Sequence, residues 1–310
     1  MLMVSATGDW TRNTLEDEYP AIRRIYELYD KASYVEAVRI DAPHNYNKDS
    51  REAMYNFFAK HALGSAGTAR IREQGIRLEK LQDMLALHGR TLPAGALDYA
   101  GLLTQWKATA MQQIDAIRAK EERRRLLALA LGTEWPRTVV AELQGESIVL
   151  SRPGAGDRVP GLWLDGSGPP AVVIHPGGAK AARETDAVRR LRAARRGVLL
   201  VDTFQTGSAV APRQRDTRHF LTFNRSDDAL RVQDILTALH WASAKGPVTL
   251  TGLDRAAVWT RFAAAVAPVP VKLDADSTAF HGADDEFSEQ FFVPGIQRAG
   301  GWKSATLLTE

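Results

Sequence analysis

The chain has 310 residues, 45% of them hydrophobic, and its 40 lysines and arginines against 37 aspartates and glutamates leave a net charge of +3. That is room for one large or two ordinary globular domains, and the charge balance makes no demand for nucleic acid as a partner. The absence of cysteine excludes disulfides, thiolate metal sites and cysteine nucleophiles. No apolar run approaches the roughly 18 to 20 residues of a membrane span, and Met1–Val4 lacks the basic start of a signal peptide. The chain as given is therefore expected to stay soluble, cytoplasmic and without a membrane partner.

Met1–Thr7 is apolar and reads as a strand that runs into the turn Gly8–Asn13, with Asp9 at the strand's carboxyl end. After a helix-length segment, a second strand, Tyr34–Asp41, delivers Pro43-His44-Asn45-Tyr46-Asn47 to the same kind of place. In an open α/β sheet ligands bind beyond the carboxyl ends of the strands, so Asp9 and His44 are expected to meet there. An acid that orients a histidine is two thirds of a nucleophilic triad. Lys48–His61 then carries apolar residues at helical spacing, and Leu63–Gly67 ends that helix.

Between residues 68 and 130 no strand pattern occurs. Arg77–Leu87 and Tyr99–Arg125 read as helices, broken at His88–Pro93. His88 beside Gly89 reads as a helix end and Trp106 as core. The basic runs Arg118–Arg125 and Arg189–Arg196 read as solvated helix faces.

Strand character returns with Val139–Leu143, Ser147–Ser151 and Arg158–Leu164, which alternate as antiparallel strands do. Short apolar strands separated by helix-length segments follow: Ala171–His175, Gly197–Asp202, Val248–Thr251 and Val269–Leu273. That alternation predicts an α/β fold with a mostly parallel sheet covered on both faces. The first of these strands ends in His175-Pro176-Gly177-Gly178, either an oxyanion turn or a tight turn with a structural histidine. Ser208, near the same edge, reads as a turn former.

Taken together, Ser5–Thr14, Asp41–Asn47 and Glu52–Phe58 resemble the last two strands of an α/β-hydrolase of the acetylxylan-esterase-like kind, whose members include tandem-domain chains. The resemblance implies Asp9 as triad acid and His44 as triad base. It implies that Gly177 and Gly178, after His175, offer backbone N–H groups to an oxyanion. His88–Ala94 resembles the segment joining two such domains, and Phe223–Leu239 the helix before the nucleophile strand. Phe291–Leu308 resembles the part just before the acid-bearing strand. On this resemblance the chain divides into residues 1–64, two final strands of a hydrolase sheet; 65–137, a helical connector; and 138–310, a sheet lacking its last strands.

The expected nucleophile elbow, Gly-x-Ser-x-Gly, reads Gly252-Leu253-Asp254-Arg255-Ala256. Asp254 stands where serine belongs. It is either a carboxylate nucleophile, as in haloalkane dehalogenases and epoxide hydrolases, or a cap of the following helix, and residue preference favours the cap.

An open sheet edge is sticky, so residues 1–64 are expected to complete the sheet of 138–310 in circularly permuted order, within one chain or in a strand-swapped homodimer. Asp9, His44, His175 and Asp254 would then share one crevice. The expected activity is weak hydrolysis of activated, small-molecule esters by a His44/Asp9 base without a cofactor. Two alternatives are a zinc hydrolase of esters or phosphoesters using the same four groups, and a catalytically silent domain that binds carbohydrate or nothing.

Overall fold

The computed structural model describes all residues except 65–69 and 276–278. Residues 65–67 of the expected helix-ending stretch Leu63–Gly67 lie outside the described residues. The remainder forms two units, Met1–Ala96 and Leu97–Glu310.

In the first unit the strands β1 (Leu2–Gly8) and β2 (Glu36–Pro43) are joined through helix α1 (Glu18–Glu27) and pair in parallel, as a βαβ crossover requires. Helix α2 (Lys48–His61) follows, begun by Asn47, whose side chain accepts the Ser50 N–H at 3.0 Å. The expected helix over Arg77–Leu87 shrinks to one turn, α3 (Leu81–Met84). Its apolar side chains Leu78, Leu81, Met84 and Leu85 are exposed, so no packing stabilises a segment too short to hold itself helical. Apolar burial in this unit is slight: among the described residues only Ala6, Val35 and Ala59 are buried hydrophobics, and α1 buries none of its side chains.

The second unit opens with α4 (Tyr99–Ala116) and α5 (Lys120–Leu131), two helices where the sequence reads one. The break at residues 117–119 contains neither glycine nor proline, the residues that normally announce one. Antiparallel strands β3 (Val140–Gln144), β4 (Ser147–Ser151) and β5 (Val159–Leu164) precede β6 (Gly168–Ile174), α6 (Gly178–Arg183), α7 (Asp186–Ala193) and β7 (Arg196–Val201). Next come α8 (Phe220–Phe223), α9 (Asp227–Ser243), β8 (Val248–Gly252), α10 (Ala256–Val266), β9 (Val271–Ala275), α11 (Asp284–Gln290) and α12 (Gly301–Thr309).

The seven strands form one sheet in the order β3-β4-β5-β7-β6-β8-β9, antiparallel from β3 to β7 and parallel from β7 to β9. Side-chain alternation divides its central strands between two cores. Val172, Ile174, Leu199, Val201 and Leu250 face the larger one with α5, α9 and α10, while Val173, Val198 and Leu200 face α6 and α7. Burial on both faces is why these strands read as unbroken apolar runs. The result is the expected α/β-hydrolase-like fold: a mostly parallel sheet with helices on both sides.

Candidate active site

In an open α/β sheet the crevice lies where the strand order reverses. β6 has β7 on one side and β8 on the other, so the segments leaving β6 and β8 part there. These segments carry His175 and Asp254, and the two side chains approach: His175 Nε2 is 3.3 Å from Asp254 Oδ2.

The turn after β8 has the build of a nucleophile elbow. Asp254 has φ +47°, left-handed backbone that a non-glycine residue rarely adopts, and such strain is concentrated at functional turns. Strand and helix come so close that a methyl group on Gly252 would run into Thr260 Oγ1 and lie 2.8 Å from Ala257 Cα. Glycine at 252 and alanine at 256 are what this approach permits. The expectation that Asp254 caps the helix is not met. The residue in the N-cap position is Arg255, and no side-chain cap bond is made. Asp254, in the left-handed conformation one residue earlier, leaves its side chain exposed beside His175.

His175 is fixed by its own turn. Its Nδ1 accepts the Gly177 N–H at 2.9 Å, so the ring proton sits on Nε2, facing Asp254. The Gly178 N–H donates to the His175 carbonyl at 2.9 Å. Both N–H groups expected to face an oxyanion are thus bonded within the turn. Beneath it, the buried Asp202 carboxylate accepts from Ala179 N–H at 2.5 Å, from Ser208 N–H at 3.1 Å and from Ser208 Oγ at 2.5 Å. Asp202 joins the two loops, and Ser208 is committed to it from within its own turn, the turn-forming role expected of it. Gly178, at φ +81°, is needed there because a side chain would strike Asp202 and Gly207.

In the first unit, parallel register sets Gly8 opposite Pro43, so the next residues, Asp9 and His44, leave the sheet side by side. His44 Nδ1 lies 2.8 Å from Asp9 Oδ2, and Asp9 Oδ1 accepts the Trp10 N–H at 2.6 Å. The hydrogen bond from His44, with the Trp10 N–H, holds the Asp9 carboxyl below its ordinary value against the opposing effect of burial. Asp9 is largely covered, at 11% exposure, whereas the His44 ring is 78% exposed. The carboxylate anchors one ring nitrogen and leaves the other edge to solvent, which is the arrangement a general base needs.

The four groups suggested for zinc come as two pairs, one in each unit. Among the described residues no cluster of three or more His, Cys, Asp or Glu side chains is placed to hold a metal ion. No described helix is long and apolar enough to cross a membrane. Sequence reading missed the arginines around the elbow, Arg231 and Arg255, whose guanidiniums lie over the Trp259 ring at 4.6 and 6.0 Å. It also missed Asp234, which accepts the Phe204 N–H at 2.7 Å and whose carboxyl burial pushes up to about 7.

Fold and elbow together define an α/β-hydrolase-like domain. A scan of protein-family models finds none that matches, and a search of curated proteins finds no match. Among solved structures the chain is similar to alpha/beta hydrolase domain-containing protein 10 from mouse, with 15% identity over 43% of this chain and 46% of that one and a TM-score of 0.29. The match spans less than half the length of the mouse protein and carries no weight of its own; the fold rests on sheet order and on the elbow.

Proposed function

We propose that the protein is a weak hydrolase of activated carboxyl esters in which His44, oriented by Asp9, is the general base. The observation that carries this reading is the 2.8 Å contact between His44 Nδ1 and Asp9 Oδ2 at the carboxyl ends of two parallel strands. His44 Nε2 takes a proton from water, the hydroxide adds to the ester carbonyl, and collapse of the tetrahedral intermediate expels the alcohol, which recovers the proton. Gly177 contributes its N–H to the oxyanion once His175 turns away, since in the resting turn that N–H is bonded to His175 Nδ1.

The reaction needs both pairs in one crevice. Among the described residues β9 is bonded on one side only, and β1 and β2 pair with each other, so each sheet has an open parallel edge of the kind a further strand completes. The proposal is that β1 pairs beside β9, within the chain or from a second copy as a strand-swapped homodimer. Support comes from the poverty of the first unit's core, because a two-stranded sheet is marginal by itself.

The left-handed backbone at Asp254 favours a second reading. In it the Asp254 carboxylate attacks a carbon bearing a leaving group, as in alkyl halides and epoxides. The alkyl–enzyme ester formed is then hydrolysed by water activated at His44.

Turnover of p-nitrophenyl acetate is expected to fall about 100-fold or more in His44→Ala, and to be indifferent to a chelator. Equal rates for wild type and His44→Ala would remove the histidine from the reaction, and chelator sensitivity would revive the zinc alternative. Gel filtration at two concentrations separates a swapped dimer from completion within one chain.

A further inference from the structure

Beside the elbow lies a cavity of about 780 Å³ in which Arg215, Arg231 and Arg255 stand among the aromatic side chains Phe220 and Phe292. Four guanidinium groups share two carboxylates here. Arg215 and Arg213 both pair with Asp227, the latter at 3.6 Å. Arg231 pairs with Asp228 at 2.8 Å, and Arg255 lies 3.9 Å from the same carboxylate. Arg213 stands behind the cavity wall; among the residues that line it, three arginines against two aspartates leave a surplus of one positive charge.

Asp228 cannot absorb that surplus. It is buried, its Oδ1 is taken by Arg231, and its Oδ2 accepts the Phe292 N–H at 2.8 Å. Arg255 is held in place without being neutralised: Nε donates to the Gln290 carbonyl at 2.8 Å, and the guanidinium lies over the Trp259 ring, with 44% of its side chain exposed. A guanidinium with its direction fixed and its terminal nitrogens at a pocket wall is preorganised for a planar anion. Aromatic walls suit an apolar spacer next to that anion. Arg255 also follows Asp254 directly in the chain, so an anion held there sits next to the elbow.

We propose that this pocket binds a carboxylate carried by the substrate, so that the ester the site favours is a half-ester of a dicarboxylic acid, with Arg255 as the specificity-determining residue. This deepens the hydrolase reading and rests on it for the word substrate, but the pocket's preference can be measured without turnover. Glutarate, titrated against the full chain by calorimetry, is expected to bind, the neutral glutaramide at least tenfold more weakly, and Arg255→Gln is expected to weaken glutarate tenfold or more. Arg255→Lys, which keeps the charge, is expected to fall between. Equal binding of glutarate and glutaramide, or unchanged glutarate binding by Arg255→Gln, overturns the proposal. Tighter binding of inorganic phosphate than of glutarate would also overturn it, assigning the pocket to a different anion. With p-nitrophenyl hydrogen glutarate and p-nitrophenyl acetate as a pair, the ratio of kcat/KM values is expected to favour the half-ester and to drop about tenfold in Arg255→Gln. If neither ester turns over, the hydrolase reading fails while the glutarate titration still decides the pocket.

Discussion

The two units solve the same chemical problem with very different resources. Residues Leu97–Glu310 bury a continuous core in which Phe262 stacks on Phe291 at 4.2 Å and Trp259, Leu127 and Ile235 are enclosed. The described residues of Met1–Ala96 bury three small apolar side chains and rely on charged and hydrogen-bonded pairs instead. Glu52, wholly enclosed, accepts from Arg72 and the Glu73 N–H, while Glu73 grips Arg51 at 2.6 Å. Hydrophobic burial is the dominant favourable contribution to folding, so the histidine–aspartate pair sits on the less self-sufficient unit and the strained elbow on the sturdier one. Strain is tolerated where a surrounding core over-determines it.

The contrast is sharpest in core truncations. Phe262→Ala is expected to cost about 3 to 5 kcal/mol, read by urea unfolding of the full chain. Leu28→Ala, on the exposed face of the first unit, is expected to change stability by no more than about 0.5 kcal/mol in dilute solution. A loss that grows with protein concentration would show instead that this face is covered in an assembly.

Acid acts next, and it bears on both units. Asp9, Glu36, Glu52 and Glu73 all have carboxyl groups held below their ordinary values of 3.8 and 4.5: Asp9 by the His44 hydrogen bond, Glu36 by Lys60 and His61 against burial, Glu52 by the Glu73 N–H, Glu73 by Arg51. Depressed folded values stabilise above the unfolded ones, and that stability is lost as pH falls below about 4.5. Asp115, Glu122, Asp186, Asp284 and Glu286 of the second unit are lowered in the same way, but the first unit has little apolar core to offset the loss, so hydrogen exchange is expected to show it opening first on acidification. Asp234 works the other way. Its folded value, raised by burial to about 7, destabilises progressively as pH rises from about 4 to 7. Asp234→Asn is expected to gain stability over wild type at pH 8 and none at pH 4; equal gains at both would contradict the buried-acid account.

A smaller effect belongs to the elbow. Asp254→Ala is expected to lose about 1 kcal/mol, because alanine has no preference for left-handed backbone, whereas Asp254→Gly is expected to lose nothing in thermal denaturation. Equal losses would mean that the carboxylate, and not the backbone, matters to stability.

How much of this the sequence discloses follows the same divide. The unbroken apolar runs Ala171–Ile174 and Val198–Val201 announce buried parallel strands because both their faces are covered. The Gly252-x-Asp254-x-Ala256 spacing marks the elbow because close packing of strand on helix admits only small residues there. The cap assigned to Asp254 rests on residue preference, which is blind to a φ of +47°. The helix over Arg77–Leu87 has the right spacing but no surface to bury against. The arginines at 215, 231 and 255 lie too far apart for any local pattern to join them; only the fold does.

Completion of the open sheet edge is the claim on which the shared crevice depends. In a strand bonded on one side, alternate N–H groups point away from its partner, so hydrogen exchange along Val271–Ala275 in the full chain reads the edge directly. Slow exchange at every amide of β9 is the predicted result. Fast exchange at every second amide, at all protein concentrations, would leave the edge open and contradict the account.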